Sequence, residues 1–129
     1  MPEVWSAPVR FIETDQQGVV FNAHYLTWAD EAVNAWWEAR GLPWQALSEQ
    51  GLGYFVKASS LDWTSSARYG DTVAVDVDLE TLGRTSLTLV FTVRVGERVC
   101  CTVRTTYVAA ADGRPTPWPD EVRTRISAS

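Results

Sequence analysis

The hydrophobic pattern of the first third of the chain predicts one long amphipathic helix over residues 23–40. Apolar side chains recur there every three or four residues, the period of one helical face: Tyr25, Trp28, Ala29, Ala32, Val33 and Trp36. Asn22 is a residue type that favours the position before a helix, and Gly41 followed by Pro43 is typical of a helix end. At about 1.5 Å per residue the helix spans about 27 Å, which is long enough to cross a small sheet.

Most of the remaining chain alternates between apolar and polar residues, which is the period of a β-strand. An N-terminal strand is predicted over residues 4–13, with one face made of Trp5, Ala7, Val9 and Phe11. The same period predicts further strands over residues 54–65, 72–80, 86–95 and 98–110. Short turn signals separate them at Tyr69-Gly70-Asp71, Gly83-Arg84 and Gly96-Glu97. Short turns between successive strands indicate an antiparallel meander.

The alternation also predicts which side chains face the core. In the strand 72–80 these are Val73, Val75, Val77 and Leu79, whereas the outer face carries Ala74, Asp76, Asp78 and Glu80. In the last strand the inner face is made of Val99, Cys101, Val103 and Tyr107. The adjacent Cys100 and Cys101 are interpreted as two small buried apolar residues, because the chain has no other cysteine.

These elements predict an α+β domain in which the apolar face of the helix covers one face of a curled sheet. The length favours one domain over residues 1–129. The C-terminal segment contains Pro115, Pro117 and Pro119, which cannot continue a central strand because proline has no amide proton to donate. We therefore expect this segment to leave the sheet and lie on the surface.

Composition narrows the possible partners. The formal net charge is −5, which argues against a nucleic-acid partner because such binding needs a basic surface. No apolar run approaches the roughly 20 residues of a membrane span, and residues 1–4 lack a signal-peptide pattern. We therefore expect a cytoplasmic protein with no membrane partner. One histidine, with no CxxC or HExxH spacing, predicts no metal site.

The junction between the first strand and the helix combines groups that suit ester or thioester hydrolysis. Asp15 ends the predicted strand, Gly18 supplies a turn, and the helix begins after Asn22. The first amides of a helix have no intrahelical acceptor and carry a partial positive charge. Such amides can stabilise an oxygen that becomes negatively charged, while a nearby carboxylate acts as base or nucleophile.

The chain resembles the 4-hydroxybenzoyl-CoA thioesterase family, including its YbgC-like acyl-CoA thioesterases, over roughly residues 7–121. The resemblance rests on the pattern D-x-x-G-[VI]-V-x-x-x-x-Y followed by a helix, carried here by Asp15, Gly18, Val19, Val20, Tyr25 and Ala32. Later matches are the segments 83–87 and 117–119. It implies the hotdog fold, an antiparallel sheet of about five strands wrapped around one long central helix.

The resemblance also implies an activity and an assembly. It assigns Asp15 as the catalytic carboxylate, acting as nucleophile or general base, and the backbone N–H of Asn22 as the group that polarises the thioester carbonyl. The substrate is an acyl-CoA, and no cofactor is implied because CoA is part of the substrate. Members of the family form homodimers or homotetramers with active sites at subunit interfaces.

Further residues have both a structural and a functional interpretation. His24 is either a structural residue of the first helical turn or a polar neighbour that orients water or Asp15. Tyr25 either packs in the core or lines the site, and Gly18 shapes the loop that meets the substrate. A turn between two strands is either solvated or, as the resemblance implies, contacts the pantetheine or phosphates of CoA: Arg84, Thr85 and Ser86.

Two other functions compete with hydrolysis. A non-catalytic acyl-CoA-binding hotdog module would not need the carboxylate that Asp15 supplies. A hotdog enoyl-CoA hydratase resembles an Asp-x4-His pattern, and Val20 occupies the position of that histidine. The sequence leaves open the acyl group, attachment to CoA or to a carrier protein, the exact role of Asp15, and the choice between dimer and tetramer.

Overall fold

A long helix lies against one face of an antiparallel sheet in the computed structural model, which describes residues 3–128. The strands are β1 Glu3–Pro8, β2 Gly53–Trp63, β3 Thr72–Leu82, β4 Ser86–Val95, β5 Arg98–Ala111 and the short β6 Arg114–Pro115. The helices are α1 His24–Ala39, α2 Trp44–Glu49 and α3 Asp120–Ser127, and a 3-10 turn follows β1 at Phe11–Glu13. The strand order is β1-β3-β4-β5-β2, with β6 paired to β5. The predicted α+β architecture is confirmed.

Helix α1 buries the face that its sequence predicts. Its buried side chains are Tyr25, Trp28, Ala29, Ala32, Val33, Trp36 and Trp37. The predicted cap is wrong, because Ala23 rather than Asn22 occupies the cap position and makes no side-chain cap. The predicted end is confirmed: the chain turns at Gly41, where a φ of +73° favours glycine. The helix therefore starts without a polar side chain to satisfy its first amides.

Three predicted core positions lie outside the core: Phe11, Leu79 and Val99. Strand β1 ends at Pro8, and Phe11 in the 3-10 turn is 77% exposed. Leu79 is 39% exposed next to an irregularity in the pairing of β3 with β4, and Val99 is 37% exposed where the register of β4 with β5 shifts. A bulge of this kind changes the face to which later side chains point.

Two residues predicted to face solvent, Ala74 and Asp76, are buried, and Ala74 is 8% exposed. Asp76 is 1% exposed, and its carboxylate accepts hydrogen bonds of 2.9 and 3.0 Å from the guanidinium of Arg94. The alternation of β3 cannot show this, because the partner comes from β4, eighteen residues further along the chain. Cys100 and Cys101 are buried and unpaired, as predicted.

The C-terminal segment packs on the domain more closely than predicted. Trp118 is 3% exposed, and α3 buries Val122 and Ile126. Pro119 precedes α3, a position where proline is compatible with a helix start because the first helical amides need no acceptor. Pro115 still pairs with β5 as part of β6, so the expectation that this segment leaves the sheet and lies on the surface is wrong.

Strand β2 forms one edge of the sheet and has an unusually apolar surface for an edge. It pairs with β5 on one side, and its eleven residues have no strand on the other side among the described residues. Its exposed large side chains are Phe55, Val56 and Trp63, with 45%, 52% and 49% exposure. A long apolar edge invites pairing with another strand. None of the helices formed by residues 3–128 is long and apolar enough to cross a membrane.

Candidate active site

Asp15 lies in a loop that the backbone closes tightly between the 3-10 turn and α1. Its N–H donates to the carbonyl of Val19 at 2.9 Å, and its own carbonyl accepts the N–H of Gly18 at 3.0 Å. Gly18 has a φ of +78°, which a residue with a side chain adopts only with strain. Gly18 therefore shapes the loop, as the sequence predicts.

The carboxylate of Asp15 is exposed, and only one of its two oxygens accepts a hydrogen bond from residues 3–128. Oδ1 accepts the N–H of Gln17 at 2.8 Å, which orients the side chain by an Asx turn. Oδ2 accepts no hydrogen bond from residues 3–128. One oxygen is thus held by the loop, and the other is available to a water or a substrate.

The amides that follow the loop are also available. The N–H of Phe21 donates to the carbonyl of Glu13 and the N–H of His24 to the carbonyl of Phe21, whereas the amides of Asn22 and Ala23 have no acceptor within the described chain. Unpaired N–H groups at the positive end of a helix are suited to bind a negatively charged oxygen. Asp15 and Asn22 thus belong to the same loop before α1, which is closed by the bond from Phe21 to Glu13 and the pairing of Thr14 with Val20.

Tyr25 belongs to the core and connects three elements. It is 1% exposed, its ring lies edge-to-face on Trp28, and its hydroxyl accepts the N–H of Ala67 at 3.1 Å. Burial raises the pKa of Tyr25, although the hydrogen bond from Ala67 opposes the shift. The carbonyl of Ala67 accepts the N–H of Val20, so this contact also supports the loop that carries Asp15.

His24 is the first residue of α1 and is partly buried against the ring of Phe21, with the two ring centroids 6.1 Å apart. Its imidazole makes no hydrogen bond to another described residue, so the structure does not join it to Asp15. The side chain faces the loop region without a fixed polar partner.

The predicted CoA-contacting turn lies at the opposite end of the sheet. Strand β3 starts beside the Asp15 loop, where Arg68 pairs with Val19, and ends at Leu82 next to the turn 84–86. Eleven residues of strand span about 35 Å. Within one chain, Arg84, Thr85 and Ser86 are therefore far from Asp15.

Backbone groups of the turn 84–86 bind the C-terminal segment. The carbonyl of Arg84 accepts the N–H of Trp118, and the carbonyl of Ser86 accepts the indole N–H of Trp118, both at 3.0 Å. The Thr85 carbonyl accepts the N–H of Ala109 at 2.8 Å. The guanidinium of Arg84 is exposed and forms no ion pair with a described residue.

Glu13 is a polar residue of this region that the pattern of the sequence did not single out. It is 3% exposed; Oε1 accepts the backbone N–H of Arg10 at 2.7 Å, and Oε2 accepts the indole N–H of Trp28 at 3.2 Å. Burial opposes its ionisation, but the hydrogen bonds and the charge of Arg10 outweigh this and lower the pKa of Glu13. The three-residue spacing to Arg10 is the one local signal that points to it.

Arg68 is a second residue that sequence patterns did not select. Its Nη1 lies 3.9 Å from the position that a side-chain Cβ on Gly18 would occupy, and it has no ion-pair partner among residues 3–128. It lies fifty residues beyond Gly18 in the chain, so spacing could not place it beside the loop. No group of three or more His, Cys, Asp or Glu side chains that could hold a metal ion occurs in the described part of the chain.

Comparison with known proteins links this chain to one family. Residues 9–126 match the model of the thioesterase-like superfamily. The acyl-CoA thioesterase YbgC of Haemophilus influenzae is 27% identical over 126 residues, which cover 92% of this chain and 91% of that protein. The family match therefore covers the Asp15 loop, α1, strands β2 to β6 and most of α3, but not β1.

Solved structures show the same fold. A thioesterase from Thermus thermophilus, solved with coenzyme A and zinc, is 30% identical, has a TM-score of 0.87 and covers 98% of each chain. A 1,4-dihydroxy-2-naphthoyl-CoA thioesterase from Synechocystis is 21% identical with a TM-score of 0.84, covering 95% of this chain and 93% of that one. At that lower identity the likeness shows the fold alone.

Proposed function

Because the chain belongs to the thioesterase-like superfamily, we propose that it hydrolyses an acyl-CoA thioester to a free acid and CoA, with Asp15 acting on the thioester. The chain has the hotdog fold and the YbgC-like sequence of this family of thioester hydrolases. The observation that carries the role of Asp15 is its unpaired Oδ2 in the same loop as the unpaired amides of Asn22 and Ala23. A base or nucleophile and an oxyanion-binding group then act on one carbonyl.

Two routes lead from this arrangement to the products. In the first, Asp15 attacks the thioester carbon, the C–S bond breaks, CoA leaves as a thiolate, and water hydrolyses the resulting mixed anhydride. In the second, Asp15 takes a proton from a water that attacks the same carbon. In both, the Asn22 and Ala23 amides donate to the carbonyl oxygen as it becomes negative. Rapid-quench mass spectrometry separates the routes, because Asp15 gains the mass of the acyl group only in the first.

A homodimer through the β2 edge would reconcile the two distant parts of the predicted site. Two-fold pairing of β2 with the same strand of a second copy would continue the sheet and cover the exposed Phe55, Val56 and Trp63. Antiparallel pairing reverses the partner, so its turn 84–86 would reach the end of the sheet where Asp15 of the first copy lies. We therefore assign Arg84, Thr85 and Ser86 to the CoA-binding part of a site shared between subunits.

The decisive experiment measures thiol release from short, long and aryl acyl-CoAs by wild type and Asp15→Asn. We expect kcat to fall by at least about 100-fold in the variant, because it loses the carboxylate but keeps the loop. Asp120→Asn, on the exposed first turn of α3, is the control and should retain wild-type turnover. Unchanged turnover in Asp15→Asn would refute its role, and tight acyl-CoA binding without turnover in wild type would favour a non-catalytic binding module.

A further inference from the structure

We propose that Glu13 is a positioning residue, which holds the Asp15 loop in register with the first turns of α1. This inference rests on the proposed function, because the parts that it aligns are the carboxylate of Asp15 and the unpaired amides of Asn22 and Ala23. Glu13 does not itself face the reacting atoms. Its side chain is 4% exposed and turned towards Arg10 and Trp28.

Glu13 stands at the point where the loop closes. Its carbonyl accepts the N–H of Phe21 at 2.9 Å, and the next residue, Thr14, pairs with Val20. Both ends of the loop therefore meet at Glu13, with Asp15 two residues further along. A displacement of Glu13 would move the beginning and the end of the loop together.

The side chain of Glu13 connects this closure to the helix. Oε2 accepts the indole N–H of Trp28, which lies one turn after His24 and is 3% exposed. The ring of Trp28 packs edge-to-face on Tyr25, with centroids 5.3 Å apart. Because a buried indole has little freedom to move, the hydrogen bond fixes where the loop sits along α1. The relative position of Asp15 and the helix amides depends on this bond.

Because the side chain of Glu13 is a carboxylate, both of its oxygens can accept hydrogen bonds, from Arg10 and from Trp28. The carboxylate accepts from the Arg10 amide and guanidinium and from Trp28, three donors in all. An amide in its place would turn an NH2 group towards one of these donors. Glu13→Gln therefore weakens the connection while it conserves the size of the side chain.

The test compares Glu13→Gln with Asp76→Asn, a matched control. Both replace a buried, arginine-paired carboxylate by an amide, but Asp76 lies on the outer face of β3 and binds Arg94. We expect both variants to melt at a lower temperature. Only Glu13→Gln should lose kcat, by about 10- to 100-fold, as expected when reacting groups move by about 1 Å. The KM for acyl-CoA should change less than twofold, because no CoA contact is removed.

Three readouts separate positioning from the alternatives. The pH–rate profile of Glu13→Gln should keep its shape and shift downwards; loss of the decline at acid pH would instead make Glu13 a general base. Trp28→Phe removes the indole donor but keeps an aromatic ring, so it should also lower kcat. This variant replaces Glu13→Gln in the test if Glu13→Gln does not fold. Equal retention of kcat in Glu13→Gln and Asp76→Asn would refute the proposal.

Hydrogen exchange tests the inference without any thioesterase activity. The amides of Asp15 and Phe21, which are bonded within the loop, should exchange faster in Glu13→Gln than in wild type, while amides of β4 and β5 stay protected. A separate outcome is that wild type hydrolyses no acyl-CoA while the loop amides exchange faster in Glu13→Gln than in wild type. In that case the proposed function fails and the anchoring role of Glu13 stands. Unchanged exchange at these amides would overturn that role.

Discussion

The two ends of the sheet differ in which polar groups are left without a hydrogen-bond partner. At the Asp15 end, one carboxylate oxygen and the Asn22 and Ala23 amides have no partner within residues 3–128. At the other end, each carbonyl of the turn 84–86 accepts a hydrogen bond, two of them from Trp118, while the amides of Arg84 and Thr85 have no acceptor within residues 3–128. Proteins pair most of their backbone groups, so unpaired groups beside an exposed carboxylate indicate a place for a ligand. The comparison therefore places the candidate reacting carboxylate at one end only, while the free amides and the exposed Arg84 at the other end suit an anionic group.

The largest effect on stability is expected in α3, which packs on the domain away from the Asp15 loop. Ile126→Ala removes a side chain that is 1% exposed between α3 and the domain, so the free energy of unfolding should fall by about 2–4 kcal/mol. The kcat of the variant, measured well below its melting temperature, should stay near wild type. Ile12→Ala is the matched control, because Ile12 is 79% exposed and its truncation leaves no cavity. A loss of kcat in a folded Ile126→Ala protein would contradict this division.

A pair of glycines tests the two ends with equal backbone strain. Gly18 and Gly113 have φ values of +78° and +74°, and an alanine Cβ would clash with nothing at either position. Each Gly→Ala substitution should cost about 1 kcal/mol of stability because L-residues disfavour this conformation. Only Gly18→Ala should also lower kcat, by about tenfold or more, because it disturbs the loop that carries Asp15. Equal kcat values would show that the loop tolerates rearrangement.

A smaller effect tests whether the turn 84–86 of one subunit contributes to the active site of its partner. Arg84→Ala should raise the KM for acyl-CoA about threefold, the effect of one exposed charge, and leave kcat unchanged. The KM for an acyl-N-acetylcysteamine thioester, which lacks the CoA phosphates, should not change. Arg104→Ala is the control, because Arg104 is paired with Glu80 on the outer face. An equal change in both KM values would exclude a phosphate contact.

The smallest expected effect concerns pH. The pKa of folded Glu13 lies below its ordinary value of 4.5, so its ionised form stabilises the fold at pH values above that ordinary value. This contribution is lost as the pH falls through the lowered pKa. The difference in unfolding free energy between wild type and Glu13→Gln should therefore be constant near neutral pH and shrink in acid. Denaturant titrations from pH 7 to pH 3 measure this difference in unfolding free energy. A difference that grows towards acid pH would contradict the lowered pKa of Glu13.

Local patterns predicted the parts of the fold that depend on near neighbours. The period of α1 identified its buried face. The alternation of residues 86–95 puts Leu87, Leu89, Phe91, Val93 and Val95 on one face, and all of these but Val95 are fully buried. The Asp15–Gly18 turn was also readable, because an Asx turn and a positive φ are properties of four consecutive residues. These features follow from short-range geometry that any chain with these residues would favour.

The sequence by itself determined the helix, the strand faces and the motif that carries Asp15, since each is set by residues within a few positions of one another. Only the tertiary structure decided that Asp76 is buried, that α3 packs on the domain and that Glu13 binds Trp28. These depend on residues 15 or more positions apart, whose pairing costs chain entropy and is decided by the packing of the whole domain. It also decided that Asp15 and the turn 84–86 lie at opposite ends of the sheet, because each antiparallel strand carries the chain from one end of the sheet to the other.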